Sequence, residues 1–443
     1  MNVRPAIQLW LPLSVKSDTF TVVASNEHPV GEEQLMERVM ERENLVPALK
    51  RVEQNKGKGG VDGMEVEELR PFLKANWPAI RHDLLRGRYC PQPVRRAKIP
   101  KPDGGVRKLG IPTVLDRFIQ QALLQVLQPM WDGTFFDGSF GFRPRRSAHH
   151  AINRAQSHLK AGYSWVVDID LEKFFDRVNH DKLMGEVCKR IRDRRVIVLI
   201  RRYLEAGAFE DDVLQETTEG TPQGGPLSPL LANLLLDELD RELEKRGHRF
   251  VRYADDCNVY VGSRRAGERV LKSITGFLSR RLKLKVNEAK SAVGRPWNRS
   301  FLGFSLSWKT NRRVSVKAIK AMKQRVREIT FRTRGRGIEQ VVQELRKYLL
   351  GWKAYFGISQ VRYIFKELDS WIKRRLRCYL WKQWGRAGYR ELRKRGVSRD
   401  LAWNTAKSAH GPWRLSRSPA LAFALPARYF TRLGLPRLFD KPA

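Results

Sequence analysis

The chain has 443 residues, 42% of them hydrophobic, and a formal net charge of +38. At about 100–200 residues per domain it holds several domains, and its apolar content supports real cores, which excludes a disordered basic tail. The cation excess calls for a polyanion; since no apolar run is long enough to span a bilayer, nucleic acid fits better than a membrane. Cys90, Cys188, Cys257 and Cys378 are widely spaced and form no C-x-x-C pair. Disulfide scaffolds and zinc ribbons are therefore not expected, and a reducing compartment is.

The opening "MNVRPAIQLWLPLSV" has a cation and a short apolar stretch, but a proline interrupts it and no small-residue cleavage site follows. Residues 1–31 are treated as an extension with no assigned role. From Glu32, "EEQLMERVMERENLVPALKRVEQN" has helical periodicity, and "KGKGGVDG" breaks it without the spacing of a P-loop. "RRAKIPKPDGGVRKLGIP" predicts a hairpin with Asp103-Gly104-Gly105 at its tip, and "LDRFIQQALLQVLQPMW" a helix. "SWVVDIDLEKFFDRV" predicts a buried strand running into a helix, with Asp168 and Asp170 on one face and Ile169 on the other. "EGTPQGGPLSPLLANLLLDELDRELEKRG" is a Gly/Pro loop feeding a long amphipathic helix.

In "FVRYADDCNVYV", Phe250 to Val261, two strand-like runs flank Asp255 and Asp256. As the two-residue link of a hairpin, Asp-Asp is a poor choice: a primed turn needs φ > 0 at its centre, which Asn-Gly or Asp-Gly supplies more easily. A turn and a divalent-cation site both account for the pair, and the segment alone does not choose between them. "RRLKLKVNEAKSAV" and "RSFLGFSLSW" predict further strands. After about residue 315 the chain is helical and basic. Val341, Leu345, Tyr348, Leu349 and Trp352 keep one apolar face; Ile372, Leu376, Tyr379 and Leu380 keep another. Lys373, Arg374, Arg375 and Arg377 lie elsewhere on the second helix, and their density among tryptophans points to nucleic-acid contact.

Asp168, Asp170, Glu172 and Asp176 form a second acidic cluster, without an EF-hand's loop glycine. One strand-end acid from it together with Asp255 and Asp256 gives three carboxylates, a number that suits two Mg²⁺ ions about 4 Å apart. That is the chemistry of in-line phosphoryl transfer, and it agrees with the basic surface.

In this order, "LVPALKRVEQNKGKGGVDG", "IPKPDGGVRKLGIPT", "SFGFRPRRSAHHA", a "DxxxxFD" strand, "TPQGGPLSPLLANLLLDELD", "RYADDCN", "KVNEAKSAV", "FLGF" and "GWKAYF" resemble the group II intron reverse transcriptases, or maturases. The resemblance runs from about Glu33 to near the C-terminus. It implies an α+β right-hand polymerase fold: fingers and palm over 32–314, with an antiparallel sheet carrying the carboxylates, a helical thumb over 315–395, and a small basic DNA-binding region over 396–443. Carried over residue by residue, it makes Asp170 the first metal ligand, six residues before the Asp of "FFD", with Asp255 its partner and Asp256 completing the set. Asp168 is then structural or a helper, and Asp176 a helix cap. Phe175 would lie beneath the sugar, leave no room for a 2′-hydroxyl and so select dNTPs. Lys101 and Arg107 would meet the triphosphate, where cations offset developing charge. Gln223 and Gly224 would contact the nucleotide and the template–primer pair, with glycine permitting close approach. Lys290 would protonate the leaving pyrophosphate, and Phe301, Leu302, Gly303 and Phe304 would form the primer grip.

The implied cofactor is Mg²⁺, two ions, with Mn²⁺ as a substitute. The implied partners are group II intron RNA, an RNA template with a DNA primer, target DNA and dNTPs, in a bacterial, nucleoid-associated cytoplasmic setting. Beyond Cys378 there is no cysteine, and His410 is the only histidine. The Cys-rich H-N-H endonuclease domain of many relatives is therefore not expected, as in the IIC-type members. Two other uses stay open: an RNA-binding splicing cofactor with vestigial polymerase activity, and a domesticated reverse transcriptase in repair or defence.

Overall fold

In the computed structural model, the described residues are 34–100, 105–210, 213–215, 219–222, 224–333 and 335–439. They form two compact units of mixed helix and sheet, one of residues 34–158 with 162–294, the other of 159–161 with 295–439.

The first unit begins with helices. The stretch from Glu32 divides into helices Leu35–Val39 and Arg42–Asn55 rather than one. Helix Val114–Asp132 starts where the Thr113 hydroxyl accepts a hydrogen bond from the Asp116 amide, and it buries Phe118, Ile119, Leu123 and Leu127. Strands β1 (Val94–Pro100) and β2 (Val106–Ile111) make the expected hairpin, with Pro100 opposite Val106. Its predicted tip residues Asp103 and Gly104 lie outside the described residues.

The sheet that matters for function is built from β3 (Trp165–Ile169) and three later strands. Short strands β4 (Ala208–Glu210) and β5 (Val213–Gln215) extend the β1–β2 sheet in the order β2-β1-β4-β5. Strands β6 (Arg249–Tyr253), β7 (Asp256–Val261) and β8 (Ala292–Gly294) join β3 in the order β6-β7-β3-β8, antiparallel throughout. Two helices that buttress this half of the unit are Ser228–Lys245 and Arg264–Phe277. A Cβ on Gly267 would lie 2.6 Å from Val293 Cγ1, so only glycine lets the second helix sit this close to the sheet.

Three local expectations are corrected. Strand β3 does not run into a helix: Phe174–Asp176 is a single 3₁₀ turn, and the helix begins at His180. Its cap is Asn179, whose side chain accepts from Lys182 N at 2.9 Å, so exposed Asp176 has no capping role. "RRLKLKV" is not a strand: its first three residues end a π-turn, Leu278–Leu282, and its last, Val286, makes a lone bridge to Leu171. Its alternation is real in burial, since Leu282, Leu284 and Val286 are all inside, but left-handed Lys283 (φ 57°) interrupts the extended chain.

The second unit starts with a hairpin of β9 (Phe304–Leu306) and β10 (Arg312–Val314). Helices Val316–Ile329, Ile338–Phe356 and Tyr363–Trp384 follow. Val341, Leu345, Leu349 and Trp352 are buried as the pattern predicts, Tyr348 is half-buried, and Ile372, Leu376, Tyr379 and Leu380 are inside. The same core continues through Leu415, Leu421, Phe430 and Leu438.

The arginines of helix Tyr363–Trp384 face inward to that C-terminal stretch more than the sequence suggests. Arg374 lies 3.7 Å over the Trp413 ring and donates to Ser416 Oγ at 3.2 Å. Arg375 donates to Thr330 Oγ1 at 3.0 Å, and Arg377 to the Leu425 carbonyl at 3.0 Å. Three of the four cations assigned to nucleic acid are thus occupied within the protein. Among the described residues no helix is long and apolar enough to cross a membrane.

Candidate active site

Register brings the predicted carboxylates together. Asp168 is opposite Asn258 and Ile169 opposite Cys257, so Asp170, one residue past the end of β3, reaches the level of Asp256, the first residue of β7. Tyr253 pairs with Asp256, which makes Ala254 and Asp255 the two central residues of the hairpin turn. The turn therefore falls one residue earlier than the sequence suggested, because the positive φ is taken by Ala254, at 56°. Positive φ at the first central position alone is the type II′ pattern. On a non-glycine residue it costs of order 1 kcal/mol, which the surroundings must offset.

Those surroundings were not foreseen from the sequence. Arg252 is 0% exposed, and so is Asp240. The guanidinium donates from Nε to Asp240 Oδ1 at 2.8 Å and from Nη2 to Asp240 Oδ2 at 2.5 Å. Its Nη1 donates to Asn233 Oδ1 at 2.9 Å and to the Ala254 carbonyl at 3.0 Å. Asn233 in turn donates to the Gly141 carbonyl at 2.8 Å, and a Cβ on Gly141 would stand 2.3 Å from Ala254 N. A buried ion pair thus holds the aspartate turn from beneath while a glycine lets a second loop close on it. Burial raises the Asp240 carboxyl and Arg252 opposes that; the two-pronged geometry keeps the pair ionised. One signal was present: Asn233, Asp237 and Asp240 recur at intervals of four and three along helix Ser228–Lys245, which puts three polar side chains on one face of the helix.

The "NEAKS" loop wraps Asp170. The Asp170 amide donates to Ser291 Oγ at 2.9 Å, and the Asp170 carbonyl accepts from Asn287 N at 2.8 Å. Lys290 Nζ lies 3.7 Å from Asp170 Oδ2, so the predicted lysine does reach the cluster. With its amide turned so that nitrogen faces the acid, Asn258 donates to Asp168 Oδ1 at 3.0 Å. Glu172 is drawn away by Arg177 at 3.0 Å and Lys285 at 3.3 Å.

Lost hydration, and then the charges of Asp255, Asp170 and Asp168, push the Asp256 carboxyl up to about 7, against the pull of Lys290. Asp256 is open to water on one side, so the crowding of like charges is the sturdier of these causes. Such crowding is what a cation relieves, and donors that are all carboxylate oxygens suit a hard divalent ion. Among the described residues, no three acidic, histidine or cysteine side chains converge into a ready-made cage; the site is an open cluster.

Among the described residues, Phe175 alone of the predicted nucleotide-side set lines a separate hollow. Phe174 is buried and Phe175 half-buried, edge to face at 5.1 Å. The Phe175 carbonyl accepts from Thr221 N at 2.7 Å, which ties the "TPQGG" loop to this turn. A cavity of about 360 Å³ is lined by Phe175, Thr221, Pro222, Arg96 and Lys108, and by none of Asp170, Asp255 and Asp256. Gly224 has φ 146°, and a Cβ there would stand 2.5 Å from the Gly110 carbonyl; its close approach is to β2. Lys101 and Gln223 lie outside the described residues, as does the Arg107 side chain; the Arg107 backbone pairs with Ile99 on the hairpin.

In the second unit, Phe301 and Phe304 exchange backbone hydrogen bonds of 2.8 and 2.9 Å around a turn with Leu302 at φ 50° and Gly303 at φ 79°. Positive φ at both centres is the type I′ pattern. Phe301 and Phe304 are core residues, the latter against Phe356 at 5.1 Å. Of the four predicted grip residues, Leu302 and Gly303 keep partial exposure, and the Leu302 carbonyl accepts from Tyr355 Oη at 2.9 Å.

Comparison with known proteins places these units. Residues 99–306 match the reverse transcriptase (RNA-dependent DNA polymerase) family, and residues 319–397 match the group II intron, maturase-specific domain. Protein YkfC of Escherichia coli K12 is 34% identical over 53% of this chain and 71% of its own length. The group II intron-encoded protein LtrA of Lactococcus lactis subsp. cremoris is 39% identical over 41% of this chain, but the match spans only 29% of LtrA. Among solved structures, a chain of the partial Cas6-RT-Cas1–Cas2 complex covers 56% of this chain and 42% of that one, at 25% identity and TM-score 0.36. Apo telomerase from Candida tropicalis, truncated from its C-terminal domain, covers 51% and 55% at 14% identity and TM-score 0.41. A polymerase domain whose chemistry depends on a divalent metal, followed directly by a maturase-specific domain, makes this chain a member of the group II intron reverse transcriptases.

Proposed function

We propose that this protein extends a DNA primer on an RNA template with dNTPs, and that it binds its parent group II intron RNA to assist splicing and retromobility into target DNA. The observation that carries the reading is the convergence of Asp170 and Asp256 across paired strands, with Asp255 in the adjoining turn, in a cluster crowded enough to raise Asp256. Asp170, Asp255 and Asp256 would hold two Mg²⁺ ions, replaceable by Mn²⁺, which when bound supply activation of the primer hydroxyl and neutralisation of the phosphates.

The chain's own residues do the rest. The Arg252–Asp240 pair fixes the turn carrying Asp255, and the Ser291 and Asn287 contacts fix the backbone of Asp170. Lys290, held beside Asp170, is placed to give a proton to the departing pyrophosphate. Phe174 fills the core, which leaves Phe175 available to close on the sugar and exclude a 2′-hydroxyl. Lys101 and Arg107 bind the triphosphate, Gln223 and Gly224 the nucleotide and template, and the Leu302–Gly303 turn presents its backbone to the primer. In this reading 32–314 are fingers and palm, 315–395 the thumb and 396–443 a DNA-binding region, acting at the nucleoid in a bacterial cytoplasm. Primer extension on an annealed RNA template with Mg²⁺ and dNTPs tests the reading, and absence of product refutes it.

A further inference from the structure

The β6–β7 hairpin has a second chemically distinct end. Arg249 opens β6 opposite Tyr260, while Tyr253 faces Asp256; four residues of strand, roughly 13 Å, separate the two ends. At the Arg249 end lies an open cavity of about 480 Å³, lined by Arg246, His248, Arg249, Arg269, Ser273 and Tyr163 among others, with no acidic residue on its walls. Arg246 is partly neutralised, donating to Glu242 Oε1 at 2.7 Å and to Ser273 Oγ at 2.7 Å. Arg249 and Arg269 are exposed, and neither is in an ion pair among the described residues. Burial and the Arg246 charge lower the His248 pKa, so at neutral pH it is an uncharged hydrogen-bonding group.

We propose that this cavity is a second nucleic-acid contact, gripping backbone phosphates of a structured RNA while the template–primer occupies the carboxylate end. Two guanidiniums without counter-charge, beside hydroxyls and a neutral imidazole, supply the positive charge and hydrogen-bond donors that phosphodiester oxygens take. A lipid surface fits less well, because none of the exposed large apolar side chains lines this cavity. The inference rests on the RNA-binding part of the proposed function, and its test is independent of polymerisation.

The test compares an Arg249→Gln/Arg269→Gln variant with an Arg81→Gln/Arg86→Gln control that removes the same charge from another exposed face. Affinity for a long, hairpin-rich RNA is measured across a salt series. Because each arginine neutralises one phosphate, removing both makes the slope of log K against log salt shallower by about 2, and affinity falls about tenfold at moderate salt. The control keeps the wild-type slope. Extension of a short primer–template and the melting temperature stay unchanged in the cavity variant. An unchanged slope, or an equal loss in both variants, overturns the proposal. So does a variant that loses binding only to anionic phosphatidylserine vesicles or to inorganic phosphate. Failure of wild-type primer extension would instead sink the polymerase reading and leave this measurement standing.

Discussion

Asp240→Ala is predicted to be among the most damaging single changes in the first unit, although Asp240 bears no catalytic role. The substitution leaves Arg252 buried at 0% exposure without the carboxylate that takes its Nε and Nη2 hydrogens. Removing one partner of a buried pair costs about 3–5 kcal/mol, a large part of the roughly 5–15 kcal/mol that holds a domain together. At about 2–4 °C per kcal/mol for a unit of this size, the melting temperature falls on the order of 10 °C. The double variant Asp240→Leu/Arg252→Met removes both charges, and well-packed apolar replacements of such pairs are often neutral; most of the lost stability returns. Its primer extension does not, because the Ala254 carbonyl has lost its donor and the turn bearing Asp255 is no longer pinned. Urea unfolding and primer extension are read on the same preparations. A shift below about 2 °C in Asp240→Ala, or full activity in the double variant, would refute the claim that this pair braces the aspartate turn.

Three further outcomes are expected. Burial first, then the charges of Arg154 and Arg249, depress His158 to about 4 from 6.5; between those pH values the unfolded chain binds a proton that the folded chain does not. Stability is therefore full above about pH 6.5 and falls by up to about 3 kcal/mol as pH drops toward 4; His158→Phe should flatten that part of the urea-midpoint profile, and an unaltered profile would count against it. Phe175→Ala should raise ribonucleotide incorporation relative to dNTPs by about tenfold or more, the equivalent of at least about 1.4 kcal/mol of lost discrimination, measured as the ratio of kcat/KM values; an unchanged ratio would return Phe175 to a packing role. Trp413→Ala removes the ring under Arg374, worth about 1–2 kcal/mol for a partly buried pair; hydrogen exchange over 412–432 should quicken while the first unit is unaffected, and equal change in both units would contradict a local role.

What was legible in the sequence is what local periodicity and adjacency encode. Alternation around Asp168 and Asp170, the hairpin of Phe250–Val261 and the heptad-like faces at Val341 and Ile372 all appear in the structure. What was not legible depends on partners far along the chain. Ser291 meets Asp170 across 121 positions, and nothing in "NEAKS" names that contact. The turn sits one residue earlier than the sequence suggests because Ala254 takes the left-handed position, where Arg252 meets its carbonyl and Gly141 lets a distant loop close on its amide. Likewise, a run of arginines in a basic chain resembles a solvated or RNA-facing surface until Trp413, Thr330 and Leu425 arrive to occupy it. The cap falls at Asn179 rather than Asp176 because a 3₁₀ turn, which apolar periodicity does not reveal, delays the helix to His180.

The most direct measurement is primer extension on an RNA template by wild-type protein and Asp255→Ala, with RNA affinity determined on the same samples. The account predicts dNTP-dependent extension by wild type, loss of at least about a thousandfold in the variant as expected for a group acting on the reacting phosphates, and RNA affinity within about twofold of wild type. Extension that survives in Asp255→Ala, or its absence from a wild type that binds RNA tightly, would contradict the assignment of catalysis to the aspartate cluster.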